Sequence, residues 1–104
     1  MIPRIPRMIL SLAAKIDIIE ISGWYDAQTP QTGERFLKSL DEKFEMIDEH
    51  PLIYRTFRNS IIRKCKLDPW PYHIFFACSG DQIEVVAVIH TSRDPNYILS
   101  RITS

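Results

Sequence analysis

The sequence predicts an α+β fold. An N-terminal antiparallel helical hairpin packs on one face of a small twisted antiparallel β-sheet, made of a short first strand and a three-strand C-terminal meander. Three observations carry this expectation. Apolar residues recur at helical spacing between Ser11 and Pro51, and the spacing falls to two beyond Pro51. The chain has 104 residues with no repeat, linker or low-complexity tract, which favours one domain, 1–104, around one core.

The elements follow in order. Pro3 and Pro6 make the first residues extended, and Met8 to Leu10 form a short strand. Ser11 is suited to cap a helix. Ala14, Ile18, Ile21 and Tyr25 then follow the i, i+4, i+7, i+11 spacing of one helix face, and the helix ends near Gln28. Leu12, Ile16 and Ile19 form a second apolar row beside the first, which reads either as a wide core stripe or as a partner surface. Thr29 and Pro30 read as the N-cap and first residue of a second helix. Its stripe is Phe36, Leu40, Phe44 and Ile47, and Pro51 ends it. A short connection makes the two helices antiparallel neighbours.

Beyond Pro51, "IIRKCKL" alternates Ile61, Arg63, Cys65 and Leu67 with Ile62, Lys64 and Lys66. "YHIFFAC" (72–78) and "IEVVAVIH" (83–90) are two further strands, apolar on both faces. "SGDQ" between them is a hairpin turn in which Gly80 takes a positive φ. By alternation His73 shares a face with Phe75 and Ala77, and His90 with Val86 and Val88. Asp94 and Pro95 read as a turn that aims Arg93. The tail from Asn96 is a short extension lying over the sheet or free to meet a partner.

Net charge is zero, but residues 1–53 carry nine acidic and six basic side chains, and residues 54–104 carry four and seven. That asymmetry puts a basic surface in the second half, weaker than the polybasic character of a dedicated DNA-binding domain. Cys65 and Cys78 form no metal-ligand pattern and sit in strands, where a free cysteine acts as a small hydrophobe. Lys15 and Asp17 interrupt the apolar N-terminal stretch, and no segment approaches the ~18 apolar residues of a membrane span. A cytoplasmic protein without metal or cofactor is expected.

The candidate chemistry is basic. Residues 55–66 hold Arg55, Arg58, Arg63, Lys64 and Lys66 and no acid. Lys64 and Lys66 lie about 7 Å apart on one strand face. They could follow a phosphate backbone, or simply guard an edge strand against aggregation. His50 at a helix end and His90 at a strand end are assigned structural roles. Only three glycines are present, so no phosphate-binding loop exists, and no nucleophile–base set or carboxylate pair stands out. Metal-free RNA cleavage needs a base, an acid and cations for the phosphorane. Lys64, Lys66, His73, Arg93 and Tyr97 supply those kinds of group.

"AAKIDIIEISGWYDAQTPQTGERFLKSLDEKFEMIDEHP" and "PYHIFFACSGDQIEVVAVIHTSRDP" together resemble the RelE/ParE toxins of bacterial type II toxin–antitoxin systems. The resemblance rests on Ala14-x-x-Asp17-Ile18 with Trp24-Tyr25, Gly33-x-x-Phe36, His50-Pro51, Pro71-Tyr72 and His90-x-x-Arg93-Asp94-Pro95. It implies a helical hairpin on an antiparallel sheet, and a cognate antitoxin that wraps the toxin in a hetero-oligomer. Leu12, Ile16 and Ile19 would then bind the antitoxin. RelE-like members cut messenger RNA on the ribosome, whereas ParE-like members poison DNA gyrase. RelE-like nucleases carry two lysines where Lys64 and Lys66 stand and an arginine where Arg93 stands. They carry an arginine where this chain has His73, and a tyrosine where it has Leu99, with Tyr97 two residues earlier. The Trp24-Tyr25 pair and the His90–Pro95 ending look closer to the ParE-like branch. The expectation is a toxin that binds DNA gyrase through Arg63, Lys64, Lys66 and Arg93 rather than hydrolysing RNA. The alternatives are a metal-independent mRNA endonuclease using Lys64, Lys66 and Arg93, and an inactive binding module.

Overall fold

The computed structural model describes residues 5–58 and 60–103. Strand Met8–Leu10 (β1) leads into helices Leu12–Gln28 (α1) and Thr32–Glu49 (α2). Strands Ile62–Lys66 (β2), Tyr72–Ser79 (β3) and Gln82–His90 (β4) follow, then helix Pro95–Ile102 (α3). A short 3₁₀ turn, Pro51–Ile53, sits between α2 and β2. Pro3 lies outside the described residues. Pro6 is not extended; it sits in a turn closed by the Met8 N–H donating to the Ile5 carbonyl (3.0 Å).

The sheet order is β1-β4-β3-β2. The last three strands form the expected meander, with Gly80 at φ 57° in the β3–β4 turn. β1 takes an edge as expected, but it pairs parallel with β4, so the sheet is mixed. The whole intervening chain joins these two strands, and so long a connection permits parallel pairing. Ser11 prolongs the ladder by donating its N–H to the Val85 carbonyl (3.0 Å), and its hydroxyl accepts from Ala14 N (3.0 Å) to cap α1.

α2 does not begin where Thr29-Pro30 suggested. The Thr29 N–H donates to the Tyr25 carbonyl and so finishes α1, while Gln31 takes φ 71° to reverse the chain. Gln31 offers no side-chain cap; instead Asp26 of α1 accepts from the Gly33 N–H (2.8 Å). A Cβ on Gly33 would strike the Ser22 carbonyl and lie 2.7 Å from Asp26 Oδ2, so glycine is what lets the two helices close at this end.

Two apolar layers hold the sheet. Phe36, Leu40, Phe44 and Ile47 of α2, with Ala14 and Ile18 of α1, bury against Cys65, Ile74, Phe76 and Val85. On the opposite face Ile62, Phe75, Ala87 and Ile89 pack against Ile98 of α3. Strands apolar on both faces thus have both faces covered. Phe75 pairs with Ala87 but Phe76 with Val85, leaving Val86 as an unpaired bulge residue. The bulge breaks strict alternation, so Val86 packs with the α3 layer while Val88 packs with the hairpin layer.

The tail is a helix rather than an extension. Asp94 accepts from the Asn96 N–H (2.7 Å) as N-cap and Pro95 is the first helical residue, so this pair starts α3 instead of forming a free turn. Both cysteines are free, Cys65 buried and Cys78 half-buried. Among the described residues no helix is long and apolar enough to cross a membrane.

Candidate functional site

The basic strand and the β4 end form two separate clusters. Lys64 and Lys66 share the α3 side of β2 with His73 of β3, which pairs directly with Lys66. Lys64 is exposed, with its ammonium 5.6 Å from the centre of the Phe57 ring. Lys66 is engaged: Nζ donates to Asp68 Oδ1 (2.9 Å) and to the Trp70 carbonyl (2.8 Å). Arg63 is engaged as well, donating to the Tyr54 carbonyl (2.6 Å). Burial, followed by the charges of Lys64 and Lys66, pulls the His73 pKa below its ordinary 6.5. His73 is therefore a neutral imidazole at pH 7, unlike the fixed cation an arginine would place there.

Arg93 and Tyr97 belong elsewhere. They line a cleft of about 170 Å³ between α1 and the end of β4, together with Glu20, Tyr72, His90 and Arg101. None of Lys64, Lys66 or His73 lines this cleft. The Arg93 guanidinium lies 3.7 Å from the Tyr97 ring centre, a close cation–π stack. Arg93 is exposed and has no acidic partner among the described residues. The Tyr97 hydroxyl accepts from Arg101 Nη1 (2.9 Å). His90 has a structural part: Nδ1 accepts from the Ser92 N–H (3.1 Å), and the ring stands edge-on to Tyr72 at 5.3 Å. A second cleft of about 460 Å³, lined by Trp24, Tyr25 and Pro71, continues past Tyr72 and His90.

Asp17 shapes this region and drew no functional expectation from the sequence. Its Oδ2 accepts from the Val88 N–H (2.9 Å) on the part of β4 that short β1 leaves uncovered. Both its oxygens also accept from Arg101, at 3.1 and 2.8 Å. One carboxylate thereby ties α1 to β4 and α3. Its sequence signals were an acid interrupting an apolar stretch and its place in the Ala14-x-x-Asp17-Ile18 motif. Asp17 holds the Arg101 guanidinium still more firmly protonated than usual.

The second apolar row of α1 stays outside the core. Leu12, Ile16 and Ile19 are 73%, 46% and 68% exposed. A Cβ on Gly23, one turn further on, would meet nothing within 4 Å. These side chains are therefore not part of the core stripe. No group of histidine, cysteine, aspartate or glutamate among the described residues could hold a metal ion.

A family model described as the ParE toxin of the type II toxin–antitoxin system parDE matches residues 8–95. The chain belongs to the ParE toxin family. The matched span runs from β1 to the first residue of α3, so it includes Arg93 and leaves Tyr97 and Arg101 outside. A solved structure of the chromosomal ParDE toxin–antitoxin system from P. aeruginosa shares the fold, with a TM-score of 0.71 at 15% identity. The match covers 86% of this ParE-family chain and 96% of the other. A search of curated proteins gives no match.

Proposed function

We propose that this ParE-family chain arrests growth by binding DNA gyrase and is neutralised by a cognate antitoxin. The observation that carries the target side is Arg93. It is the cleft cation left without an acid among the described residues, and stacking on Tyr97 holds it in place. Lys64 is the exposed cation of the basic strand, while Arg63 and Lys66 fix the backbone around it. The antitoxin covers Leu12, Ile16 and Ile19, where an amphipathic segment would bury a continuous aliphatic surface. The separation of Arg93 and Tyr97 from Lys64, Lys66 and His73 weighs against RNA cleavage, which needs a base, an acid and cations converging on one phosphate.

The test is a supercoiling assay with purified gyrase. The wild-type chain should inhibit it, Arg93→Ala and Lys64→Ala should each weaken inhibition at least about tenfold, and the product of the neighbouring gene should restore activity. Intact gyrase activity together with codon-phased messenger cleavage in a translating extract would replace this reading with the nuclease. Neither effect, with unhindered growth, would mean an inactive chain.

A further inference from the structure

Residues 50–67 contain five lysines and arginines and no aspartate or glutamate. The chain folds this run back on itself. The Phe57 N–H donates to the Ile62 carbonyl (2.7 Å), the Lys64 N–H to the Arg55 carbonyl (3.0 Å), and Thr56 bridges to Arg63. The Arg63 guanidinium secures the preceding turn through the Tyr54 and Leu52 carbonyls. The result is a ledge along the outer edge of β2, held by main-chain bonds and so preorganised.

What the ledge displays is mixed. Leu52, Ile53 and Ile61 are 67%, 72% and 76% exposed. The same run carries the exposed cations Arg55, Arg58 and Lys64, none with an acidic partner among the described residues. The Arg58 guanidinium lies 5.7 Å from the Phe57 ring, which also carries Lys64 on it.

We propose that this ledge is a docking surface for an acidic protein segment with an apolar side. Charge complementarity sets the sign of the partner, since eighteen consecutive residues offer it no acid to repel it. The aliphatic side chains set its class. Against a nucleic acid backbone they would have nothing to do, and phosphate contacts use cations and polar groups. Against a bilayer, three such side chains offer roughly a dozen carbons, comparable to one myristoyl chain, which alone gives only marginal binding. Against a protein segment, three exposed aliphatic anchors in the same run as three unpaired cations offer both apolar and charged contacts.

The ledge is distinct from the α1 row. β1, beside α1, and β2 lie at opposite edges of the sheet, and α1 packs over β4. A partner can therefore sit on α1 and leave the ledge open. Lys64 also belongs to the target-facing set proposed above, and to that extent the inference rests on that reading.

The test measures binding of the full chain to a fluorescein-labelled peptide of leucine and glutamate, with leucines at i, i+3, i+4 and i+7. A scrambled peptide, a short DNA duplex and phosphatidylserine vesicles run alongside. Ile53→Ser/Ile61→Ser and Arg55→Glu/Lys64→Glu should each weaken binding to the patterned peptide at least about tenfold. Neither should move the unfolding midpoint appreciably, because these side chains are exposed. Equal binding of patterned and scrambled peptides, or indifference to the isoleucine changes, would overturn the proposal. So would tighter binding to DNA or vesicles that depends on the cations alone. Failure of the wild-type chain to inhibit gyrase would bear only on the target reading, since the peptide measurement does not need gyrase.

Discussion

Replacing Arg101 by alanine removes the cation from a carboxylate that is only 13% exposed, while Arg101 itself is 18% exposed. Asp17 would keep one donor, the Val88 N–H, and Tyr97 would lose the donor to its hydroxyl. Breaking a fully buried pair from one side costs about 3–5 kcal/mol, because the remaining charge stays uncompensated. Residual solvent access at this pair reduces that to about 2–3 kcal/mol. For a domain of this size the loss corresponds to a fall of about 10–20 °C in Tm. Urea denaturation of the purified chain measures it. Hydrogen exchange should show α3 amides losing protection while α2 amides keep theirs. Asp17→Asn/Arg101→Met, which retains an acceptor for Val88 and removes both charges, should recover part of the loss. A cost below about 0.5 kcal/mol for Arg101→Ala would refute the reasoning, since that is the range of an ordinary surface pair.

Gly33→Ala should destabilise the chain by about 1–3 kcal/mol in the same assay, because its Cβ would meet the Ser22 carbonyl and Asp26 of the facing helix. His73 has a folded pKa below 6.5, so the unfolded chain binds its proton more readily. The folded state therefore loses stability as pH falls from about 6.5 toward the lowered folded value, and nothing above it. Comparing wild type with His73→Gln across that window should show the variant's stability falling less steeply; parallel curves would remove His73 as the cause. Leu12→Ser/Ile19→Ser should weaken antitoxin binding by calorimetry at least about a hundredfold while leaving the unfolding midpoint unchanged. Unaltered affinity would place the antitoxin elsewhere.

The elements that long apolar patterns specify were legible in the sequence: the Phe36–Ile47 stripe, the β3–β4 hairpin and its Gly80 turn all stand as expected. Punctuation was less readable. Thr29-Pro30 and Asp94-Pro95 are chemically alike as helix starts, yet only the second begins one. What separates them is the Thr29 N–H bonded back to Tyr25, a contact between neighbouring turns that residue types alone do not specify. α3 offered only eight residues and one buried side chain, Ile98, too little for a periodic signal. The parallel direction of β1 and the bulge at Val86 depend on long-range pairing, and neither leaves a local trace. For the site, charge type was visible but engagement was not. Arg63 and Lys66 look as available as Lys64 until their carbonyl and carboxylate partners are placed.

Tyr97 is where the two readings of the chain come apart. Its ring carries Arg93 at 3.7 Å on a face, with Arg101 at 5.8 Å, while its hydroxyl is bonded to Arg101. Of these two arginines, Arg101 is neutralised by Asp17, while Arg93 has no acidic partner among the described residues. The ring thus serves as a platform that holds an unneutralised charge at the cleft, and its hydroxyl serves the clasp. A platform needs the aromatic face; a proton-transferring tyrosine needs the oxygen. Tyr97→Phe should keep growth arrest within about threefold of wild type, losing only the ~1 kcal/mol of one hydrogen bond in stability. Tyr97→Leu should weaken arrest at least about tenfold, because Arg93 loses the surface that fixes it. Dose–response induction in cells lacking the antitoxin reads both. If Phe abolishes arrest as completely as Leu does, the oxygen matters, Arg93 is not merely held by stacking, and the nuclease reading regains its tyrosine.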